Sequence, residues 1–104
     1  MVIELLFGTW RTSKIHWHGD QITHYGDSDQ WRQYVFGPGG SLEIFVNFKG
    51  TLHPTFGAIN WRTEKEQIII TEKNTWHSRI LTLTDDLLII KSDETRITYY
   101  LKKI

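Results

Sequence analysis

The chain contains no cysteine, a single alanine (Ala58), two prolines and no net charge, since 12 basic residues meet 12 acidic ones in 104 positions. Without thiols there are no disulfides and no thiolate chemistry, which permits a reducing compartment. A helical bundle with one alanine and many β-branched side chains would oppose its own helix propensities throughout. Charge balance with no run of like sign removes the electrostatic footprint of a nucleic-acid binder and of a basic membrane patch. No apolar run is long enough to span a bilayer, and the stretch from Met1 to Phe7 is too short for a signal peptide and lacks a basic leader. The chain as given is therefore expected to be soluble and cytoplasmic, or periplasmic or lipoprotein-anchored if a leader was removed.

What is present is strand-forming. Isoleucine, valine and threonine supply 28 residues and the aromatics another 14, the types enriched in strands. The length suits one domain, residues 1–104, and is too short for two. Turn residues arrive at short, regular intervals and divide the chain into eight β segments after a helical turn at Val2 to Leu6. These are Gly8 to His18, Gln30 to Phe36, Ser41 to Phe48, Thr51 to Arg62, Gln67 to Thr71, Thr75 to Thr84, Leu87 to Lys91 and Thr95 to Lys103. Only Gly19 to Asp29 is a long connection, and Pro54 marks an irregular, edge-like start to the fourth strand. Every link after Phe36 is hairpin-short, so sequence neighbours are expected to pair antiparallel. The reading is an all-β, eight-stranded antiparallel up-and-down barrel, because closure removes the two exposed edges of a meander.

Gly8-Thr9-Trp10 at the start of the first strand resembles the G-x-W signature of lipocalins. Other stretches are similar to compact bacterial lipocalin-like domains. They are the aromatic-then-glycine turn from Tyr34 to Gly40, the Gly57 to Trp61 strand, and the run from Leu83 to Leu88 leading to Thr98-Tyr99-Tyr100-Leu101-Lys102-Lys103. The resemblance implies a barrel end plugged by Gly8 and Trp10, with a basic residue near the end of the last strand packed on the indole. Lys102 or Lys103 stands where an arginine is often found, and Lys102 is expected to fill that place. Transporters, enzymes and filled barrels all share this architecture, so fold does not settle function.

Strand alternation from Trp10 directs Thr12, Lys14, His16 and His18 inward, and the same parity directs Arg32, Tyr34 and Phe36, then Ile44, Ile59, Trp61, Trp76, Ser78 and Tyr99. A cation inside a barrel must meet a carboxylate, an open mouth or an anionic ligand. The expected site is a pocket for a small hydrophobic or amphiphilic molecule. Lys14, His16, Arg32, Tyr34 and Tyr99 supply its polar side, and Phe36, Ile44 and Trp61 line the tail. His16 and His18 share a strand face at a spacing compatible with metal ligation, and His24, His53 or His77 could in principle complete a tetrahedral site, but no cysteine and no motif-fixed carboxylate accompanies them, so no metal and no cofactor are assigned. The same histidines with Asp20 could act as base and orienter in a small barrel enzyme, but no nucleophile elbow, phosphate loop or paired-carboxylate motif accompanies them. Five tryptophans invite a sugar- or base-stacking reading, which the neutral charge opposes.

The outward parity is unusually apolar: Trp17, Trp31, Val35, Phe45, Phe56, Ile69 and Leu81. Trp31, Val35 and Phe45 fall on adjacent strands and form a candidate interface for a homodimer or a protein partner. The leading expectation is a non-enzymatic binding protein. The alternatives are an interaction module of inhibitor or immunity type with a filled barrel, and a small cyclase- or isomerase-like enzyme.

Overall fold

The computed structural model describes residues 3–55 and 59–104. A 3-10 turn, Ile3–Leu6, precedes the strands β1 (Gly8–His16), β2 (Ile22–His24), β3 (Arg32–Phe36), β4 (Ser41–Phe48) and β5 (Thr51–Pro54). They are followed by β6 (Ile59–Glu64), β7 (Gln67–Thr71), β8 (Thr75–Leu83), β9 (Leu87–Ser92) and β10 (Thr98–Lys103). The order β10-β9-β8-β7-β6-β4-β3-β1, with β10 pairing back onto β1, is a closed eight-stranded antiparallel barrel. Among the described residues no helix is long and apolar enough to cross a membrane.

Two expected segments divide differently. The long connection after β1 contains β2, which pairs with the upper part of β1. The expected fourth strand is two: β5 pairs with Phe45 to Phe48 of β4, whereas β6 pairs with Ser41 and Leu42. Pro54 ends β5, consistent with its missing N–H. Expectations for Val2, Phe56 and Gly57 fall outside the described residues.

Two irregularities govern which side chains point inward. Register shifts between Thr12 and Lys14, so Ser13 is an extra residue in β1, its hydroxyl donating to the Tyr100 carbonyl at 3.1 Å. A bulge of this kind reverses the parity of everything beyond it. Thr12 and Ile15 are consequently the buried pair, and Lys14 and His16 lie on the outer face, correcting their inward assignment. Lys14 Nζ sits 4.0 Å from the centre of the Tyr100 ring, and His16 Nε2 is 2.9 Å from the Gly19 carbonyl. A second shift between Ile80 and Thr82 leaves Leu81 half exposed. Trp17 takes the inward parity of Ile15, and Ile69, on the outer parity, is nevertheless buried.

One end of the barrel is plugged. Trp10 is 0% exposed and its indole donates to the Leu6 carbonyl at 2.9 Å, tying the 3-10 turn across the opening. Lys103, not Lys102, completes the plug: its Nζ lies 4.6 Å from the indole centre and donates to the carbonyls of Leu5 and Phe7. Lys102 points the other way and is exposed. Gly8 adopts φ +119°, a backbone conformation strained for any side chain, and a Cβ there would lie 3.0 Å from Lys103 Cε and press on the lysine that caps the plug. Phe36, Leu42, Ile68, Leu88 and Leu101 pack beneath. Trp61 belongs to this layer, edge-on to Phe36 at 5.2 Å and donating to the Gly37 carbonyl at 3.0 Å.

Candidate functional site

Above this packed layer the barrel is hollow. A cavity of about 400 Å³ opens at the end opposite the plug. Phe36, Ile59 and Leu101 form its floor, and Ile44, Ile70 and Ile90 its aliphatic walls. The size falls within the range of small-molecule sites, about 300–1,000 Å³.

Of the eight residues expected to bind a ligand, Arg32, Tyr34, Phe36, Ile44 and Tyr99 line this cavity. The bulge at Ser13 takes Lys14 and His16 to the outside, and Trp61 lies in the closed-end core, below the cavity. Around the rim stand Glu72, Asn74, Trp76 and Thr95, which were not assigned to the site. Trp76 is 44% exposed although it lines the cavity. Continuing the β7 alternation from Ile68 and Ile70 one step past the strand end would have reached Glu72. Asn74 and Thr95 belong to turns, where alternation carries no information.

Arg32 enters the cavity wall from the first position of β3. The ion pairs among the described residues are Arg11 with Asp27, Arg62 with Glu64 and His77 with Glu94, and Arg32 takes part in none. Burial pushes the Tyr34 hydroxyl above its ordinary pKa, against the opposing pull of the Arg32 guanidinium and the Thr12 hydroxyl. Burial also raises Tyr99, opposed by Arg32 and by a hydrogen bond with Thr95, and reinforced by Tyr25. Both phenols therefore remain donors throughout the neutral range.

The raised tyrosines have a consequence for stability. A phenol whose folded pKa exceeds the unfolded value of about 10 keeps its stabilising contribution below that pH and loses it as pH climbs through the folded value. Urea melts at about pH 9 and about pH 11 are expected to show a loss on the alkaline side that Tyr34→Phe reduces. An identical alkaline loss in the variant would remove Tyr34 as its source.

The barrel now has a measured counterpart. A crystal structure of a lipocalin-like protein from Bacteroides uniformis superposes with a TM-score of 0.77, covering 96% of this chain and 99% of that one. The fold is lipocalin-like. Identity over the match is 16%, so the likeness is one of architecture. No protein-family model matches the chain, and no curated protein does. In this lipocalin-like barrel the outer-face residues Val35 and Phe45 are half-buried, and the Trp31 ring is covered by the Arg11 guanidinium at 4.5 Å. Among the described residues no group of three or more histidine, aspartate or glutamate side chains is placed to hold a metal ion. His16 and His18 do not converge with the other histidines.

Proposed function

We propose that the protein binds a small amphiphile with an acidic head, its aliphatic part along Ile44, Ile70 and Ile90 and its head at Arg32. The observation that carries this reading is a guanidinium without an ion-pair partner among the described residues, set in the wall of a mostly apolar cavity. Guanidinium forks match carboxylate geometry, and the Tyr34 and Tyr99 hydroxyls stand beside it as additional donors. Glu72 disfavours an anion on its own side of the opening, which favours a head placed at Arg32.

Calorimetric titration with decanoate, decanol and decylammonium tests the proposal, because the three share a tail and differ in head charge. Decanoate is expected to bind most tightly and decylammonium most weakly. Equal affinities would retain the apolar cavity but overturn the role of Arg32. No binding of any of the three would favour a protein whose outer face does the work.

A further inference from the structure

A second chamber of about 460 Å³ lies on the β1–β3 side of the open end, separated from the first by Arg32, Tyr34 and Tyr99, which line both. Its existence follows from two features of β1. Gly8 to Arg11 of that strand pair with β3, and above them Lys14 to His16 pair with β2 instead, so β1 and β3 part company there. The bulge at Ser13 then turns Ile15 and Trp17 inward to face the space.

The two chambers differ in chemistry. The first is walled by isoleucines and carries a carboxylate, Glu72, on its rim. The second is lined by Trp17, Tyr25, Tyr34 and Tyr99, with Thr12 and Arg32, and no carboxylate is among its lining residues. The Trp17 indole N–H is already given to Thr23 Oγ1 at 2.8 Å, so this ring offers π surface and not a donor. Donors come instead from the three phenols, the Thr12 hydroxyl and the guanidinium. Ring surface together with converging donors and one cation suits a flat conjugated acid, whose π system packs on aromatic faces and edges while its anion meets Arg32.

We infer that the second chamber is a binding site for planar aromatic acids, distinct from the aliphatic cavity and sharing with it only the Arg32, Tyr34 and Tyr99 wall. It shares Arg32 with the function proposed above and is otherwise independent of it. A single guanidinium serving both chambers makes the two anions competitors, although their apolar parts occupy different spaces.

The test uses 2-naphthoate and decanoate with the ¹⁵N-labelled chain, whose five tryptophan indole N–H signals can be followed separately. Naphthoate is expected to shift the Trp17 signal and leave Trp76, in the first cavity, in place; decanoate is expected to do the reverse. Trp17→Leu is expected to weaken naphthoate about tenfold while decanoate affinity stays within about twofold. Tyr25→Leu serves the same purpose should Trp17→Leu fail to fold, and the spectra of the unaltered protein need neither. The inference is overturned if naphthoate shifts Trp76 alone, shifts no indole signal, or binds a folded variant as tightly as the parent. Naphthoate binding at Trp17 without any decanoate binding would sustain this site and reject the aliphatic one.

Discussion

Replacing Trp10 with alanine is expected to lower the free energy of unfolding by about 3–5 kcal/mol, the range for truncating a buried aromatic. The indole is fully enclosed, and its removal leaves a void among Leu6, Phe36, Leu88 and Leu101 that a closed barrel end cannot easily collapse to fill. Two further losses accompany the void. The Leu6 carbonyl forfeits its donor, and Lys103 Nζ loses the ring over which it sits at 4.6 Å. In a barrel of this size each kcal/mol corresponds to roughly 4–8 °C in melting temperature, so the variant should melt far below the parent. Trp10→Phe keeps most of the ring and gives up the hydrogen bond, and is expected to cost about 1–2 kcal/mol. Urea denaturation of the three proteins checks the order. A loss under about 1 kcal/mol for the alanine variant would contradict the plug, given what buried aromatics ordinarily contribute.

The second large effect concerns binding. Arg32→Leu is expected to weaken decanoate roughly 10- to 150-fold, the equivalent of losing a charge-assisted hydrogen bond of about 1.5–3 kcal/mol. Leucine retains apolar bulk in the wall, so the change isolates the head-group contact from the packing of the tail. Decanol, which carries no charge, should lose much less, and Arg32→Lys should recover part of the decanoate affinity because the charge returns without the fork. Arg32 is solvent-exposed overall, so the substitution should leave folding nearly unchanged. Unchanged decanoate affinity in a folded leucine variant would remove Arg32 from the site.

Closure and most strands were legible because tight turns punctuate the alternation. Ser41 to Phe48 and Gln67 to Thr71 match the structure end to end, bracketed by Gly37-Pro38-Gly39-Gly40, Lys49-Gly50 and Lys73-Asn74. Lys14 and His16 were misplaced for a physical reason: the bulge at Ser13 carries no glycine or other local mark, being stabilised by contacts with Tyr25 and Tyr100, remote in sequence. Lys103 was within reach, since the alternation that directs Tyr99 and Leu101 inward continues to it and passes over Lys102. Trp61 shows a different limit. Its inward direction was readable, but its height along the barrel depends on the register in which β6 meets β4, Ser41 opposite Asn60 and Leu42 opposite Ile59, which no local pattern encodes. Glu72 lay one step beyond the alternation of β7, whereas Asn74 and Thr95 escaped because rims are built from turns, where side-chain direction follows the path of the loop.

The seam between β1 and β10 also has a kinetic meaning. Lys103 reaches back across 96 residues to the Phe7 carbonyl, whereas most of the other pairings join neighbours. Bringing such distant segments together costs about 3 kcal/mol more chain entropy than closing a four-residue turn. Hairpins can therefore form early and independently, while circularisation is the late, slow event that high contact order imposes. On a ribosome the sheet would wait as an open trough, its apolar floor uncovered, until β10 emerged to zip it shut. During that interval the unpaired edges of β1 and β9 would be the positions most vulnerable to another chain.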